Sequence, residues 1–447
     1  MARFIVVVLD GFGVGEMPDV ADVRPQDCGS DTAGKLLSHF PLKVLPVLEK
    51  LGLQNVVANK ASIMTANPLA NTGRSNLAHE GGDTFMGHQE IMGTLPKPPL
   101  TQPFQVALPE VEAELLKQGY SVSRHTQQGL SVLVVNEGIV IGDNLEADLG
   151  QVYNLTCNFD LVSFETLLDI AAVVRASNPV SRNIAFGGNI KVEHHGSSDH
   201  DESQNNIAMN RVFNAIEVKN NAEGKATYIG VNSPDSGAYD NGFQVAHLGY
   251  GVDAKTQVPW QLHCHGIKTW LYGKVADIVQ NAHGKSYTSV VNTDEVFRLL
   301  NLDLSIENTG FFCANIQETD LAGHQQDPKQ YWRILEKADR GLGEVIEQMT
   351  EQDVLIVMAD HGNDPFIGHS KHTREQVPLL AYKKNQQTLD LGVRKTMSDV
   401  GATVCAFFQT APPENGTIIT HLLDESDFYV KDQKIWPHSQ GSRHKEK

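Results

Sequence analysis

Cysteine is scarce in this chain. There are five in 447 residues (Cys28, Cys157, Cys264, Cys313 and Cys405), odd in number and widely scattered, so no disulfide framework is expected. Positive charge is also short. Lys plus Arg total 36 against 54 Asp plus Glu, a formal net charge of −18, which argues against a broad face for nucleic acid or an anionic membrane. A small anionic substrate stays open, because bound cations can reverse a local potential. Long apolar runs are missing too: nothing approaches the ~20 residues of a membrane helix. The run Phe4–Leu9 is too short for a signal peptide and meets Asp10 at once. These absences lead to the expectation of a cytoplasmic protein. No internal repeat or long low-complexity tract occurs.

What is present is ordinary for a globular protein: 40% hydrophobic and 20% charged residues, enough for a large core. The length suits two domains, with one inserted in the other. Phe4–Leu9 is a continuous β-branched and apolar run, the pattern of a strand buried on both faces of a sheet. Asp10-Gly11-Phe12-Gly13 ends it, so Asp10 falls just past a strand's carboxyl end, where α/β proteins bind ligands. The layout recurs at Phe311–Ile316, which delivers Thr319-Asp320, and at Val354–Met358, which delivers Asp360-His361. Pro328 opens a helical pattern to about Met349; a short strand at Pro378–Tyr382 and a helix at about 397–408 follow.

From about 101 to 250 the pattern changes to shorter strand-like pieces, such as Ser131–Val135, Ile139–Ile141 and Thr227–Val231, separated by Gly/Asn/Ser/His-rich stretches. The expected organisation is a core from 1–100 and 251–430, an inserted α+β domain at 101–250, and a tail at 431–447.

Asp320 and His324 lie four apart, Asp360 and His361 are adjacent, and His372 follows in a Gly/Ser/His-containing loop. Mixed Asp/His ligation suits borderline divalent metals, and these residues with Asp10 suffice for two ions of the kind that assist in-line displacement at phosphorus. A lone Asp at a strand end is commonly a cap or turn former; three strand ends with Asp or Asp-His favour metal. Gly81-Gly82-Asp83-Thr84-Phe85-Met86-Gly87-His88-Gln89-Glu90 adds a glycine-rich approach for phosphate and a hydroxyl that a metal could activate. His263-Cys264-His265 are consecutive, cannot converge on one ion from a helix, and are read as packing or surface. His369 and the pair His194-His195 are read as surface histidines. Glu146, Asp148 and Asn154 either line the inner face of the inserted domain or form an acidic loop.

Together these segments resemble the alkaline phosphatase superfamily, and most closely its phosphopentomutase branch. The resemblance rests on Asp10-Gly-Phe-Gly-Val-Gly15, Gly29-Ser-Asp-Thr32, Asp83-Thr84-x-x-Gly87-His88-x-Glu90, Gly273-Lys274-Val-Ala-Asp277, Ala359-Asp-His-Gly-Asn-Asp-Pro365 and His372-Thr-Arg-Glu375, over about 1–95 and 265–415. It implies an α/β core with a central, mostly parallel sheet flanked by helices, plus a smaller α+β cap. It also implies two divalent cations, Mn2+ first, with Zn2+ or Mg2+ as alternatives. Asp10, Thr84, Asp360 and His361 would hold one; Asp320, His324 and His372 the other. Thr84 would carry a phosphoryl group, Lys274 would face the substrate, and a sugar bisphosphate would serve as activator. The implied reaction is 1-to-5 phosphate migration on ribose, deoxyribose or a related sugar phosphate. A phosphatase or phosphodiesterase with water as acceptor is the alternative.

Three positions depart from the family's pattern, where Gly82, Met86 and Gln89 replace its Lys, Thr and Trp. Further, no arginine occurs between Arg211 and Arg298, a stretch in which the family grips the distal phosphate with guanidinium groups.

Overall fold

The strand Arg3–Leu9 lies inside an eight-stranded sheet, fully covered on both faces. In this computed structural model, which describes residues 2–58, 61–146, 149–190, 204–385 and 388–423, the sheet order is Gly284–Tyr287, Thr269–Tyr272, Gly310–Ile316, Arg3–Leu9, Val354–Met358, Val377–Tyr382, Asn71–Ser75 and Asp390–Arg394. Only Val377–Tyr382 runs against the rest. Parallel neighbours on both sides explain why Phe4–Leu9 carries no polar residue: each side chain meets protein whichever face it points to. The register sets Val8 beside Asn315 and Met358, so three parallel strands end together.

Helices cover the sheet. The longest, Pro328–Gln348, begins with Asp327 accepting from the N–H groups of Lys329 and Gln330, and with proline in its first turn. Its Tyr331, Trp332, Leu335, Ala338, Leu342 and Val345 recur at three- and four-residue spacing and are buried.

The chain divides into two compact units: residues 1–96 with 253–447, and residues 97–252. The second has its own six-stranded sheet, in the order Gln244–Gly249, Arg182–Gly188, Val152–Asn158, Ile139–Asp143, Leu130–Val135 and Val122–Gln127. Alternation along its strands serves two cores. Leu133, Ile139 and Ile141 pack with the helices Phe104–Lys117 and Phe164–Ala176. Val132 and Val140 pack with Met209, Val212 and Ile229. No described helix is long and apolar enough to cross a membrane. The 431–447 tail lies outside the described residues.

Candidate metal centre

Four neighbouring parallel strands of the first unit end on chemistry. Thr269–Tyr272 is followed by Gly273-Lys274, Gly310–Ile316 by the helix Gln317–His324 with Asp320 and His324, Arg3–Leu9 by Asp10, and Val354–Met358 by Asp360-His361. The turn after Asp10 requires glycine: Gly11 has φ +71°, and a Cβ there would stand 2.9 Å from Cβ of Asn363. Asn363 in turn donates from Nδ2 to Oδ1 of Asp320 at 2.8 Å. Adjacent strand ends thus lock one another's side chains.

Thr84 begins the helix Thr84–Ile91, capped by Asp83, whose side chain accepts from Phe85 N–H. The Thr84 hydroxyl donates to Asp360 Oδ2 at 2.7 Å. Lys274 Nζ lies 3.3 Å from Thr84 Oγ1, 2.7 Å from Asp10 Oδ2 and 3.1 Å from Asp320 Oδ2. Arg374 secures the loop ahead of the helix: its guanidinium donates to the carbonyls of His79 at 2.8 Å and Gly81 at 2.9 Å and pairs with Asp19 at 2.8 Å. Glu90 secures the helix's other end, accepting from Ala78, His79, Thr396 and Met397.

The three histidines share one orientation. Nδ1 of His324 faces the Ser370 carbonyl at 2.6 Å, that of His361 the Gly362 carbonyl at 3.0 Å, and that of His372 the Gly82 carbonyl at 2.7 Å. Each Nδ1–H is thereby committed, and each Nε2 turns inward, as in imidazoles that bind metal. His372 Nε2 lies 3.0 Å from His324 Nε2 and 3.3 Å from Asp320 Oδ1. His361 Nε2 lies 3.3 Å from Asp360 Oδ2 and 3.5 Å from Asp10 Oδ1.

Burial and charge pull against each other here. Burial, with the charge of Asp360 beside it, pushes Asp10 up to about 7. Burial would raise Asp360 and Asp320 as well. His361 and His88 outweigh it at Asp360, and His324 and His372 at Asp320, holding both carboxyls well below the usual range. Burial pushes His361 down to about 4. Hydrogen bonding to Asp320 raises His324, and the same carboxylate raises His372 against the effect of burial. Burial would lower Lys274, but Asp10 and Asp320 keep it raised.

The donor set fits divalent cations. Asp10 Oδ1 and His361 Nε2 are buried without a hydrogen-bond partner, an arrangement that costs free energy unless a ligand repays it. At most one proton can sit between the Nε2 atoms of His324 and His372; a shared cation is the other way to hold two lone pairs so close. Among the described residues, two groups have ligand atoms near enough for one ion: Asp10, Asp360 and His361, and Asp320, His361 and His372. His361 belongs to both.

All eight residues singled out in the sequence, Asp10, Thr84, Lys274, Asp320, His324, Asp360, His361 and His372, come together in this one place. His263, Cys264 and His265 join neither group. His369, expected as a plain surface residue, instead reaches buried Asp27 at 3.1 Å. Glu146 and Asn154 are engaged inside the second unit: Glu146 accepts from Ser233 N–H at 2.7 Å, and Asn154 donates to Ser233 Oγ at 3.2 Å. Asp148, His194 and His195 lie outside the described residues. The sequence by itself assigns no role to His88, Asn315, Asn363 or Arg374. The i, i+4 spacing of Thr84 and His88 was the one available signal.

The chain is similar to several known proteins. Phosphopentomutase from Acetivibrio thermocellus is 29% identical over 423 residues, 91% of this chain and 96% of the relative. Among solved structures, a Pyrococcus horikoshii protein matches at 14% identity and TM-score 0.43, covering 91% of this chain and 96% of that one. Leishmania mexicana phosphoglycerate mutase matches at 12% identity and TM-score 0.37, covering 93% and 96%. The model of the metalloenzyme superfamily matches residues 2–412, nearly the whole described chain, and the protein belongs to that superfamily.

Proposed function

We propose that the protein is a metal-dependent phosphomutase that moves a phosphoryl group within a sugar phosphate of the ribose or deoxyribose class, with Thr84 as the carrier. One observation carries this reading: a hydroxyl at a helix N-terminus, 2.7 Å from Asp360 and 3.3 Å from Lys274, inside a buried cluster of Asp and His. Asp10, Thr84, Asp360 and His361 would hold one divalent cation and Asp320, His324 and His372 the other, Mn2+ first and Zn2+ or Mg2+ as alternatives. When bound, such ions neutralise phosphoryl oxygens and favour the ionised form of the hydroxyl.

The chain's own groups do the rest. Asp360, held ionised, accepts a hydrogen bond from the Thr84 hydroxyl and fixes the direction of Oγ1. The ammonium of Lys274 stabilises negative charge on Oγ1 and on a substrate oxygen brought beside it. The first N–H groups of the Thr84–Ile91 helix favour an anion at its start. In each cycle the Oγ–P bond of phospho-Thr84 breaks as a free sugar hydroxyl takes the phosphoryl group and gives up its proton. The resulting bisphosphate returns its other phosphoryl group to Thr84, a proton restores the vacated hydroxyl, and the isomer leaves. A sugar bisphosphate would therefore activate protein whose Thr84 is unphosphorylated. We place this chemistry in the cytoplasm.

Hydrolysis, with water as acceptor, has one observation in its favour: no arginine occurs from 212 to 297 to grip a second phosphate. Incubation with Mn2+, ribose 5-phosphate and a bisphosphate activator separates the two. Appearance of the 1-phosphate isomer is expected; stoichiometric free phosphate without isomer overturns the mutase reading.

A further inference from the structure

His88 has no role in the chemistry above, yet no side chain of the Thr84–Ile91 helix is more deeply set: it is fully buried one turn after Thr84. Its Nδ1 lies 3.1 Å from Asp360 Oδ2 and 3.0 Å from the Thr84 carbonyl. That carboxylate oxygen is the one the Thr84 hydroxyl donates to, and the one nearest His361 Nε2. Three groups from two segments thus meet at a single atom, Asp360 Oδ2. On the other side of the ring, Nε2 lies 3.0 Å from Asn315 Nδ2, at the end of the Gly310–Ile316 strand. Two acceptors at Nδ1, the Thr84 carbonyl and the Asp360 carboxylate, assign a ring proton to that atom.

We propose that His88 is a positioning residue. It fixes the rotation of the Asp360 carboxylate and ties it to the first turn of the Thr84 helix, so that ligand and nucleophile keep one mutual geometry, with Asn315 holding the ring. The inference rests on the metal-binding reading of Asp360. The backbone has made room for it: a Cβ on Gly87, next to His88, would come within 2.8 Å of the Asp360 carbonyl oxygen and 3.0 Å of its Cβ. Helix and strand end can approach this closely only with glycine there. Asp360 has a second anchor, the Gly11 N–H at 3.2 Å from Oδ1, so its two oxygens are held from opposite directions. Losing His88 leaves the rotatable Thr84 hydroxyl as the one donor to Oδ2, while Oδ1 stays bound to the Gly11 N–H. This predicts weakened ligation at one ion and not collapse of the site.

The test is Mn2+ titration of metal-stripped protein by calorimetry, alongside melting curves. His88→Ala is expected to weaken one of two Mn2+ sites by about 10- to 100-fold, the usual range for losing a partner of a metal ligand, with the second site unchanged. His88→Gln, which keeps an N–H donor of similar reach, should recover most of that loss. Asn315→Leu should weaken the same site by less. If wild type binds two ions and His88→Ala binds both as tightly, the positioning role is overturned while the metal centre stands. If both sites weaken equally, or if Gln fails to rescue a folded protein, the residue is a general packing element or a direct ligand, and the proposal falls. If wild type takes up no Mn2+, it is the metal reading itself that fails.

Discussion

The central strands have two ends, and the ends obey different rules. At the amino end, Arg3 and Asp353 form a buried ion pair with every charged atom occupied. Arg3 gives Nη2 to Asp353 at 2.6 Å and to the Gln348 carbonyl at 2.7 Å, and Nη1 to the Leu304 carbonyl at 2.5 Å. Asp353 also accepts from the N–H groups of Arg3 at 2.8 Å and Thr350 at 2.7 Å. At the carboxyl end, Asp10, Asp320 and Asp360 crowd together against one ammonium, with Asp10 Oδ1 and His361 Nε2 buried and unpaired. One sheet thus carries a closed electrostatic account at one edge and an open one at the other. Local rules satisfied in one place and broken in the other mark the broken place as the site of function.

The largest expected effect tests the open end. Thr84→Ala should lower turnover by about 10⁴-fold or more, as removal of a nucleophile commonly does, while Mn2+ uptake stays within a few-fold. Retained activity would remove Thr84 from the chemistry. The closed end should respond in the opposite sense. Arg3→Ala leaves Asp353 buried and unpaired, so unfolding free energy should fall by about 3–5 kcal/mol in denaturant titration. Activity per folded molecule should be unchanged, because the strand separates Arg3 from Asp10 by roughly 20 Å. Should Arg3→Ala impair turnover in fully folded protein, the two ends are coupled and do not divide stability from function.

Legibility in the sequence followed the same division. The strands ending at Leu9 and Met358 close on unbroken apolar runs and the one ending at Ile316 is apolar but for Asn315, so they and the Asp or Asp-His just beyond are readable directly. Pro328 and its periodic apolar face marked the long helix to within a residue. What could not be read was pairing across the chain. Asn363 clamps Asp320 from 43 positions away, and Arg374 holds a loop 293 positions away. Asn and Arg at such positions look like ordinary polar residues until the strands align. Nor does spacing reveal that His361 faces both groups of ligands, since that follows from how adjacent strands are placed.

Cation binding sharpens the contrast further. Because ligation would use groups already held in the folded chain, Mn2+ at 100 times its dissociation constant should add about 2.7 kcal/mol of stability per site. Chelator should remove that gain. The Arg3→Ala variant should gain as much as wild type, since its defect lies at the other end of the sheet. Equal melting temperatures with and without chelator would mean the carboxyl end is not held for a cation.

The smallest effect is a pH dependence, and it isolates one carboxyl. Asp10 is pushed up to about 7 in the folded chain, so the fold binds this proton more tightly than the unfolded chain does. Its contribution is therefore intact below the ordinary carboxylate range near pH 4, is lost as pH rises, and stays lost above about 7. Asp320 and Asp360 have the opposite sign: their lowered values stabilise the fold above pH 4 and do so less as pH falls. Asp10→Asn removes only the first of these. In metal-stripped protein, then, the melting temperature of Asp10→Asn should exceed that of wild type by a margin that grows from pH 4 to 7 and levels off beyond. With Mn2+ present the ranking should reverse, because the ionised oxygen that burdens the empty fold is the one a cation needs. A variant no more stable than wild type at pH 8 without metal would show that Lys274, 2.7 Å away, already compensates Asp10 in full.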